Sequence, residues 1–550
     1  MGFTMTNKKR IESHDIVIVG GGPVGLSAAV EFSNLGIKTI LLESSDSFSD
    51  GSRAICWSQR TLEIMDRSGA ATKMLEKGVT WNQGRVYLKH HEIYNFDLQM
   101  ETDLKMPAFI NLQQYYVEEF LESHLRGKKL TDIRRLNEVD DISITENKTA
   151  LLSVITPNGK YEINAKYVIA ADGVNSFLRK RLGLETKGQK FEEKFLITDI
   201  HVKEPYPMER RFWFDPIFHK GQSALLHVQP DNILRIDLQL GVDADPKIES
   251  NPTRVQSRIQ KMLGENIDFD IQWISVYSFS CKRMDRFVHE PVFFVGDAAH
   301  VVSPFGARGG NGGIQDIDNL VWKLASVLKG LAPKSLLKSY DLERVPAADE
   351  NILNSSRSTD FMTPKNEASK EFREAVFLLS KNMPFARKLV NSGRLSSPHS
   401  YHNSFLNSKD DPAFTGKGPI PGSASLDAVL GLKSAEVWLL DYLGREFCCL
   451  VFVNDSILSS KRFEEFRKFV KSLNPQMNLV MVSRAIISKN MRATVLVDKS
   501  GKCFNKWSAI PGSVYLVRPD QHIATRWKNY PELENLEQAF KKALGHCEGK

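Results

Sequence analysis

Long apolar runs are missing from this 550-residue chain. None approaches the ~20 residues that a membrane-crossing helix needs, so no membrane span is expected. Residues 1–14 are polar and basic and lack the apolar stretch of a secretory leader, so a cytoplasmic protein is expected. Cysteine is scarce. Cys56, Cys281, Cys448, Cys449, Cys503 and Cys547 form no C-x-x-C and no metal-ligand spacing. This argues against a disulfide framework, a dithiol redox motif and a metal site, and leaves free thiols in a reducing compartment. Long blocks of one charge are absent too. The net charge of +7 is spread out, with Lys8-Lys9-Arg10 and Lys128-Lys129 as small clusters before the C-terminal part. That describes a solvated surface rather than a nucleic-acid footprint. Hydrophobic content of 42% and charged content of 25% are those of an ordinary globular protein. The length exceeds one ordinary core, so two or three domains are expected.

What the chain does have is glycine placed directly after apolar runs. Phe293 to Lys323 reads FFVGDAAHVVSPFGARGGNGGIQDIDNLVWK. The apolar run stops at Gly296-Asp297. A loop containing Pro304, Gly306, Gly309 and Gly310 follows, and a helical pattern begins near Gly313. A strand ending in Gly-Asp, a glycine loop and a helix N-terminus together make a place to hold an anion. Backbone N–H groups point at the ligand, and the helix dipole favours negative charge.

Near the N-terminus, the apolar run Asp15 to Val19 leads into Gly20-Gly21-Gly22-Pro23-Val24-Gly25, where Gly20, Gly22 and Gly25 have the G-x-G-x-x-G spacing. A helical pattern follows from Leu26 to Phe32, and a second apolar run, Thr39 to Leu42, ends at Glu43. Each part has a role in a βαβ dinucleotide site. Gly20 makes the tight turn, Gly22 admits the pyrophosphate, Gly25 lets the helix pack on the strand, and Glu43 sits where a carboxylate accepts from ribose hydroxyls. A third strand pattern, Tyr167 to Ala171, ends in Asp172-Gly173-Val174-Asn175-Ser176, followed by Arg179.

This set of motifs resembles the FAD-dependent aromatic hydroxylases, the single-component flavoprotein monooxygenases that include the p-hydroxybenzoate and phenol hydroxylases. Further matches are Arg53-Ala54, Arg60-Thr61-Leu62-Glu63, and Gln114 with Val117-Glu118. The resemblance implies FAD as cofactor and NAD(P)H as co-substrate. It assigns Gly20, Gly22, Gly25 and Glu43 to the ADP half of FAD and Asp172 to the neighbourhood of the pyrophosphates. Asp297 would accept from ribityl or ribose hydroxyls, and Pro304 with the amides of Gly309, Gly310 and Asn311 would line the flavin ring. Arg53 and Gln114 are expected at the flavin or nicotinamide nucleotide. There are departures. Asn175 stands where the family often has Arg, and Gly306-Ala307-Arg308-Gly309-Gly310-Asn311 replaces the usual Gly-Gly-x-Gly-Met-Asn. The variant resembles the branch of the phenol and 3-(3-hydroxyphenyl)propionate hydroxylases.

The implied reaction is hydroxylation of a phenolic ring with O2 and NAD(P)H through a flavin C4a-hydroperoxide. Same-fold alternatives are a reductase, a ring-opening oxygenase or a non-catalytic flavin-binding interaction protein. No second G-x-G-x-x-G follows the first, so NAD(P)H has no nucleotide domain of its own. Tyr277, His227 and Arg235 are the candidate catalytic residues, with Trp213 and Gln229 on the same group of strands. Tyr277 matches a position that faces flavin and phenol in the phenol hydroxylases. His227 is a candidate acid–base group, and Arg235 a cation for the flavin or a substrate carboxylate.

The expected fold class is α/β. An FAD-binding Rossmann-like domain uses residues 14–190 and 285–395, and an antiparallel-sheet substrate domain, residues 191–284, is interleaved with it. The strands there show period-2 alternation: Phe195 to Val202, Arg210 to Phe214, Ser223 to Gln229 and Leu234 to Leu240. Residues 396–423 are rich in Ser, Asn, Asp, Gly and Pro and read as a linker. Residues 424–545 resemble the thioredoxin-like C-terminal domain of the phenol hydroxylase branch. Without C-x-x-C that domain is expected to be structural or dimer-forming, and a homodimer is expected.

Overall fold

The computed structural model describes residues 11–81, 83–97, 103–390, 397–486 and 495–546, so Lys8-Lys9-Arg10 and Cys547 lie outside the described residues. The chain divides into two compact units, one of residues 1–100, 107–317 and 348–397, the other of residues 101–106, 318–347 and 398–550.

The first unit contains a largely parallel sheet. Its central strands are apolar throughout because both faces are covered: Ile16, Val17 and Ile18 are fully buried, as are Val168, Ile169 and Ala170. Ile11–Val19 lies between Gly159–Ala170 and Thr39–Leu42, and Val292–Phe294 pairs with the outer side of Gly159–Ala170. The register puts the strand ends level. Val19 pairs with both Leu42 and Ala170, and Ala170 pairs with Phe294. The glycine loop after Val19, the Asp172 loop and the Gly296-Asp297 loop therefore leave the sheet side by side at the carboxyl ends of its strands, where open α/β sheets bind ligands.

A second, eight-stranded sheet follows the order His300–Val301, Phe269–Met284, Thr186–Val202, Ile233–Leu240, Ser223–Gln229, Arg210–Phe214, Gln83–Leu88, His91–Asp97. Its middle is the antiparallel sheet expected from the alternation. The hairpin from residues 83–97 extends it, joined in parallel to Arg210–Phe214. Period 2 separates its faces. One face carries Leu196, Leu226, Ile236 and Leu238 against Val255 and Ile259 of the helix Pro252–Leu263. The other face carries polar and aromatic residues in register. His227 pairs with Arg235, Arg235 with Asp199, and Asp199 with Trp273. Four residues along, Phe195 pairs with Tyr277.

In the second unit, the strands run Ala435–Trp438, Val429–Leu432, Val495–Val497, Asn478–Ser483, Cys448–Val453, Val514–Val517, Ile523–Trp527. Cys448–Val453 is parallel to Asn478–Ser483 and antiparallel to Val514–Val517. The described part of the stretch read as a linker is anchored here, because Tyr401, Leu406 and Phe414 are 4%, 0% and 1% exposed. Its polar composition hides three apolar anchors.

A buried charge cluster holds this unit. Glu343 accepts from Arg518 Nη1 at 2.6 Å and Nη2 at 2.9 Å, Lys323 Nζ at 2.7 Å, Asn319 Nδ2 at 2.6 Å and Ser404 Oγ at 2.5 Å. Arg518 also pairs with Asp520 at 2.5 Å. Burial, only partly offset by Glu343, pulls Lys323 down to about 8. Removing one member of such a network leaves the others as uncompensated buried charge. Glu343→Ala should therefore destabilise this unit by about 3–5 kcal/mol. Denaturant unfolding checks this, and a loss under ~1 kcal/mol, the scale of a surface pair, would contradict it.

Candidate active site

The first glycine loop separates two kinds of glycine. A Cβ on Gly25 would lie 1.9 Å from the carbonyl oxygen of Gly20, so the helix Pro23–Asn34 can sit on its loop only without a side chain there. A Cβ on Gly22 would meet nothing within 4 Å, and Gly22 has an extended backbone that any residue adopts. Gly25 is thus required by packing, while Gly22 borders open space. Glu43, at the end of the next strand, turns its carboxylate to the loop: Oε2 accepts from Gly21 N at 2.5 Å and Oε1 from Ser45 N at 2.8 Å.

The neighbouring loops are tied together. Asp172 Oδ2 accepts from Leu178 N at 3.0 Å, while its Oδ1 is buried with no hydrogen-bond partner among the described residues, and burial raises its pKa. Arg179 donates to Val174 O and to Ala298 O, each at 2.7 Å, bracing the Asp-Gly loop on the Gly-Asp loop. Asn175 is exposed. Asp297 is exposed to solvent, and desolvation by the surrounding protein together with the nearby Asp316 carboxylate raises its pKa. Next to it, Asp316 accepts from Gly296 N at 2.9 Å and pairs with His300 Nε2 at 2.8 Å, both side chains buried. The sequence reading missed this brace. Its one signal was an Asp at a helical position that the apolar pattern assigns to the core.

The helix after the glycine loop starts at Gly309, four residues before the pattern suggested, so Gly309, Gly310 and Asn311 form its first turn. Glycine's poor helix propensity concealed that turn. The N–H groups of a first turn have no partner within the helix. The Asn311 side chain is taken up by the protein. Its Oδ1 accepts from Thr61 Oγ1 at 2.6 Å and Ser58 N at 2.9 Å, and its Nδ2 donates to Cys56 O and Ala307 O. Arg308 is buried and donates to Asn351 at 3.3 Å, so it is no solvated loop residue. Pro304 precedes Phe305, whose ring packs 5.2 Å from Phe195 and 5.8 Å from Phe279.

Arg53 is exposed. Its loop is held from below. Ser52 donates to Asp199 through N at 2.9 Å and Oγ at 2.5 Å, and Arg235 donates to Arg53 O at 2.9 Å and to Ser52 O. Gly51 has φ +67°, and a Cβ there would lie 2.3 Å from the Trp273 ring. The polar row of the second sheet is therefore a platform for the Gly51-Ser52-Arg53 loop. Arg235 also pairs with Asp237 at 2.8 Å, which leaves it a positioning role rather than an open cation. Gln114 accepts from Ala54 N at 3.2 Å and donates to Glu118 at 2.8 Å. Asp199 carried no motif. A charge at an inward position of a strand was the available signal.

On the same sheet face, Tyr277 is half-buried 6.2 Å from Trp273 and opposite Phe195. Through Phe195 it joins the cluster that holds Phe305. His227 is buried 4.0 Å from Cys56 Sγ, and burial with Arg210 and Arg235 nearby drives its pKa well down. That shift favours the neutral imidazole over the imidazolium. Gln229 donates to Asp199 at 3.4 Å. Trp213 lies on the opposite face, stacked 5.4 Å from Tyr87, and so is separated from this group.

Residues 13–355 match the family described as the FAD binding domain. The chain belongs to this family. It is 26% identical over 96% of both chains to a 4-methyl-5-nitrocatechol 5-monooxygenase of Burkholderia sp. It is 23% identical to a 3-(3-hydroxy-phenyl)propionate/3-hydroxycinnamic acid hydroxylase of Comamonas testosteroni, over 95% of this chain and 96% of that protein. In fold it is similar to the flavin-dependent monooxygenase PieE, with TM-score 0.81, 18% identity, and coverage of 97% of this chain and 99% of that one.

FAD fits the residues of the family's domain here. Open space lies at Gly22, Asp297 is exposed to solvent, and two helices begin beside these loops. Among the described residues no cluster of His, Cys, Asp or Glu could hold a metal ion. The glycine contrast makes a test. Gly22→Val should fold and lose most of its flavin, whereas Gly25→Val should not fold, since its Cβ meets backbone at 1.9 Å. Circular dichroism and flavin absorbance per chain check both, and a folded Gly22→Val protein with normal flavin would refute the placement.

Proposed function

We propose that this chain is an FAD-dependent monooxygenase that hydroxylates a phenolic ring with O2 and NAD(P)H. The observation that carries this is the link between the two halves of the first unit. Phe305, next to Pro304 of the family's flavin loop, packs into the aromatic cluster that holds Phe195, Phe279 and Tyr277. A flavin at that loop would face an apolar surface with a phenol-sized polar handle.

When bound, FAD supplies the redox chemistry, taking hydride from NAD(P)H and activating O2. The chain's own residues do the rest. The Gly20–Gly25 loop and the first turn at Gly309–Asn311 offer N–H groups to anionic oxygen, with Glu43 and Asp297 as acceptors for hydroxyls. Asp199, Arg235 and Trp273 hold the loop that presents Arg53 toward flavin or nicotinamide nucleotide. Phe195, Phe279 and Phe305 keep water from the reacting face. Tyr277 orients the phenol hydroxyl or helps withdraw its proton, since phenolate is the better nucleophile. His227, neutral and buried, shapes the wall. The named substrates of the two relatives above are hydroxylated aromatic rings, which supports the same class here.

The second unit reads as a thioredoxin-like domain without redox function. What supports this reading is the strand order Asn478–Ser483, Cys448–Val453, Val514–Val517, Ile523–Trp527 with the helices Lys461–Ser472 and Leu533–Ala543, and its cysteines form no C-x-x-C. A homodimeric, cytoplasmic enzyme completes the reading. No helix among the described residues is long and apolar enough to cross a membrane. Sedimentation of the holoenzyme tests the dimer.

Phenols should accelerate O2-dependent NAD(P)H oxidation by the yellow protein, with hydroxylated product. Stimulation without O2 would indicate a reductase, and no turnover a binding protein. Tyr277→Phe should keep FAD and part of the NAD(P)H oxidation. Product per NAD(P)H should fall, by up to about a hundredfold if Tyr277 is the acid–base group, with hydrogen peroxide rising to match. An unchanged ratio in a stable variant would remove Tyr277 from the site.

A further inference from the structure

One buried cation on the polar face of the second sheet has no counter-ion among the described residues. Arg210 is 5% exposed. Arg211 pairs with Leu226 on the adjacent strand, so one step back puts Arg210 level with His227 on the polar face. It makes no hydrogen bond or ion pair among the described residues, and its Nε is buried without a partner. Its guanidinium lies over the rings of Phe212 at 4.5 Å and Trp81 at 5.7 Å.

Other buried cations are answered. Arg235 meets Asp237 at 2.8 Å, Lys323 meets Glu343 at 2.7 Å, and Arg518 meets Glu343 and Asp520. Arg179 and Arg373 reach backbone carbonyls at 2.7 and 2.9 Å. The groups around Arg210 do not answer it. Cys56 is kept a neutral thiol by burial and lies within hydrogen-bond distance of Asn111 Oδ1 at 3.2 Å. His227 is neutral, Arg235 repels it, and Asp237 is already engaged by Arg235. Burial pulls the guanidinium below its ordinary range. An apolar residue of similar volume would make a more stable core at this position, because a buried charge without a partner is a net cost. A visiting anion removes that cost. Arginine is suited to it, because its planar fork receives a two-oxygen group while its face stacks on aromatic rings.

We propose that Arg210 is the specificity residue for an anionic oxygen group, carboxylate or phenolate, carried by an aromatic substrate whose ring lies on the face formed with Phe212 and Trp81. This rests on the phenol-hydroxylating function and names its substrate class as charged. Phe214, two residues along the strand from Phe212, belongs to the same apolar cluster as Phe195 and Tyr277, so the charged group and the reacting ring share one continuous face.

Three probes on the holoenzyme separate the sources of the anion: phenol (neutral), 4-nitrophenol at pH 8 (phenolate) and 3-hydroxybenzoate (carboxylate). At least one anionic probe should raise the melting temperature and show a higher kcat/KM than phenol, and the one that does identifies the oxygen group. In Arg210→Met, its kcat/KM relative to phenol should fall about tenfold or more, the scale of a lost charge-assisted pair, and its thermal shift should vanish. Arg210→Lys should restore part of both. Arg210→Met without ligand should melt no lower than the parent, because it removes an uncompensated charge.

An unchanged ratio in Arg210→Met overturns the proposal. So does a parent enzyme in which neither anion outperforms phenol, a result independent of whether the variants fold. If no phenol of any charge stimulates NAD(P)H oxidation, the hydroxylase function fails instead. The thermal shift with and without Arg210 still decides the anion site.

Discussion

Two helices of the first unit begin against the same side chain. Val24 is in the first turn of the helix Pro23–Asn34. A Cβ on Gly313, early in the helix Gly309–Leu328, would lie 2.6 Å from Val24 Cγ2 and 3.1 Å from Gly296 Cα. A side chain at Gly313 would push the helices apart. Because it is absent, two helix N-termini with their positive ends stand beside the same three loops. A dinucleotide with two phosphates is a ligand that such a field suits. The level register of Val19, Leu42, Ala170 and Phe294 and the brace from Arg179 to Ala298 O keep the loops in place around that contact.

What was legible in the sequence follows from which interactions are local. The G-x-G-x-x-G turn, the acid at the strand end and the Gly-Asp loop are short-range features, each with a chemical reason to be where it is. Strand alternation from Phe195 to Leu240 exposed the two faces of the second sheet in the same way. What stayed hidden depends on partners far away in sequence. Ser52 meets Asp199, Gly51 meets Trp273, and Gly296 meets Asp316, and no periodicity carries such pairings. The helix start at Gly309 was hidden for a different reason. Tertiary contact overrides a poor local propensity there. Tyr401 and Leu406 are buried inside a stretch whose composition suggested only a loop, and residues 318–347 count with the second unit although they continue helices that begin or end in the first.

Arg235 shows how a residue of plausible chemistry is reassigned by its partners. Its strand, its burial and its charge all suited a substrate cation. Its hydrogen bonds go to Asp237 and to the backbone of Ser52 and Arg53, so it holds the loop that carries Arg53. The same criterion, asking what each buried donor touches, separates it from Arg210, which shares the sheet face and whose Nε has no acceptor among the described residues. Burial alone does not rank buried charges by role. Satisfaction does, because a satisfied charge belongs to the fold while an unsatisfied one is a cost that needs a reason.

The second unit shows the opposite allocation, with its polar groups turned inward to one another. Cys448 and Cys449 adjoin on a strand and point into two different cores, Cys448 beside Leu450 and Trp507, Cys449 beside Val451 and Phe540. Burial pushes the thiol of Cys448 up to about 12 and raises that of Cys449 as well. Neither forms a nucleophilic thiolate at neutral pH, and alternation along the strand keeps the two sulfurs from approaching as a dithiol pair. The charge cluster at Glu343 has its donors and acceptors matched. Within this unit Glu343 ties Asn319 and Lys323 to Arg518, so the stretch 318–347 is bonded to the strand-end residue Arg518 through matched buried charges.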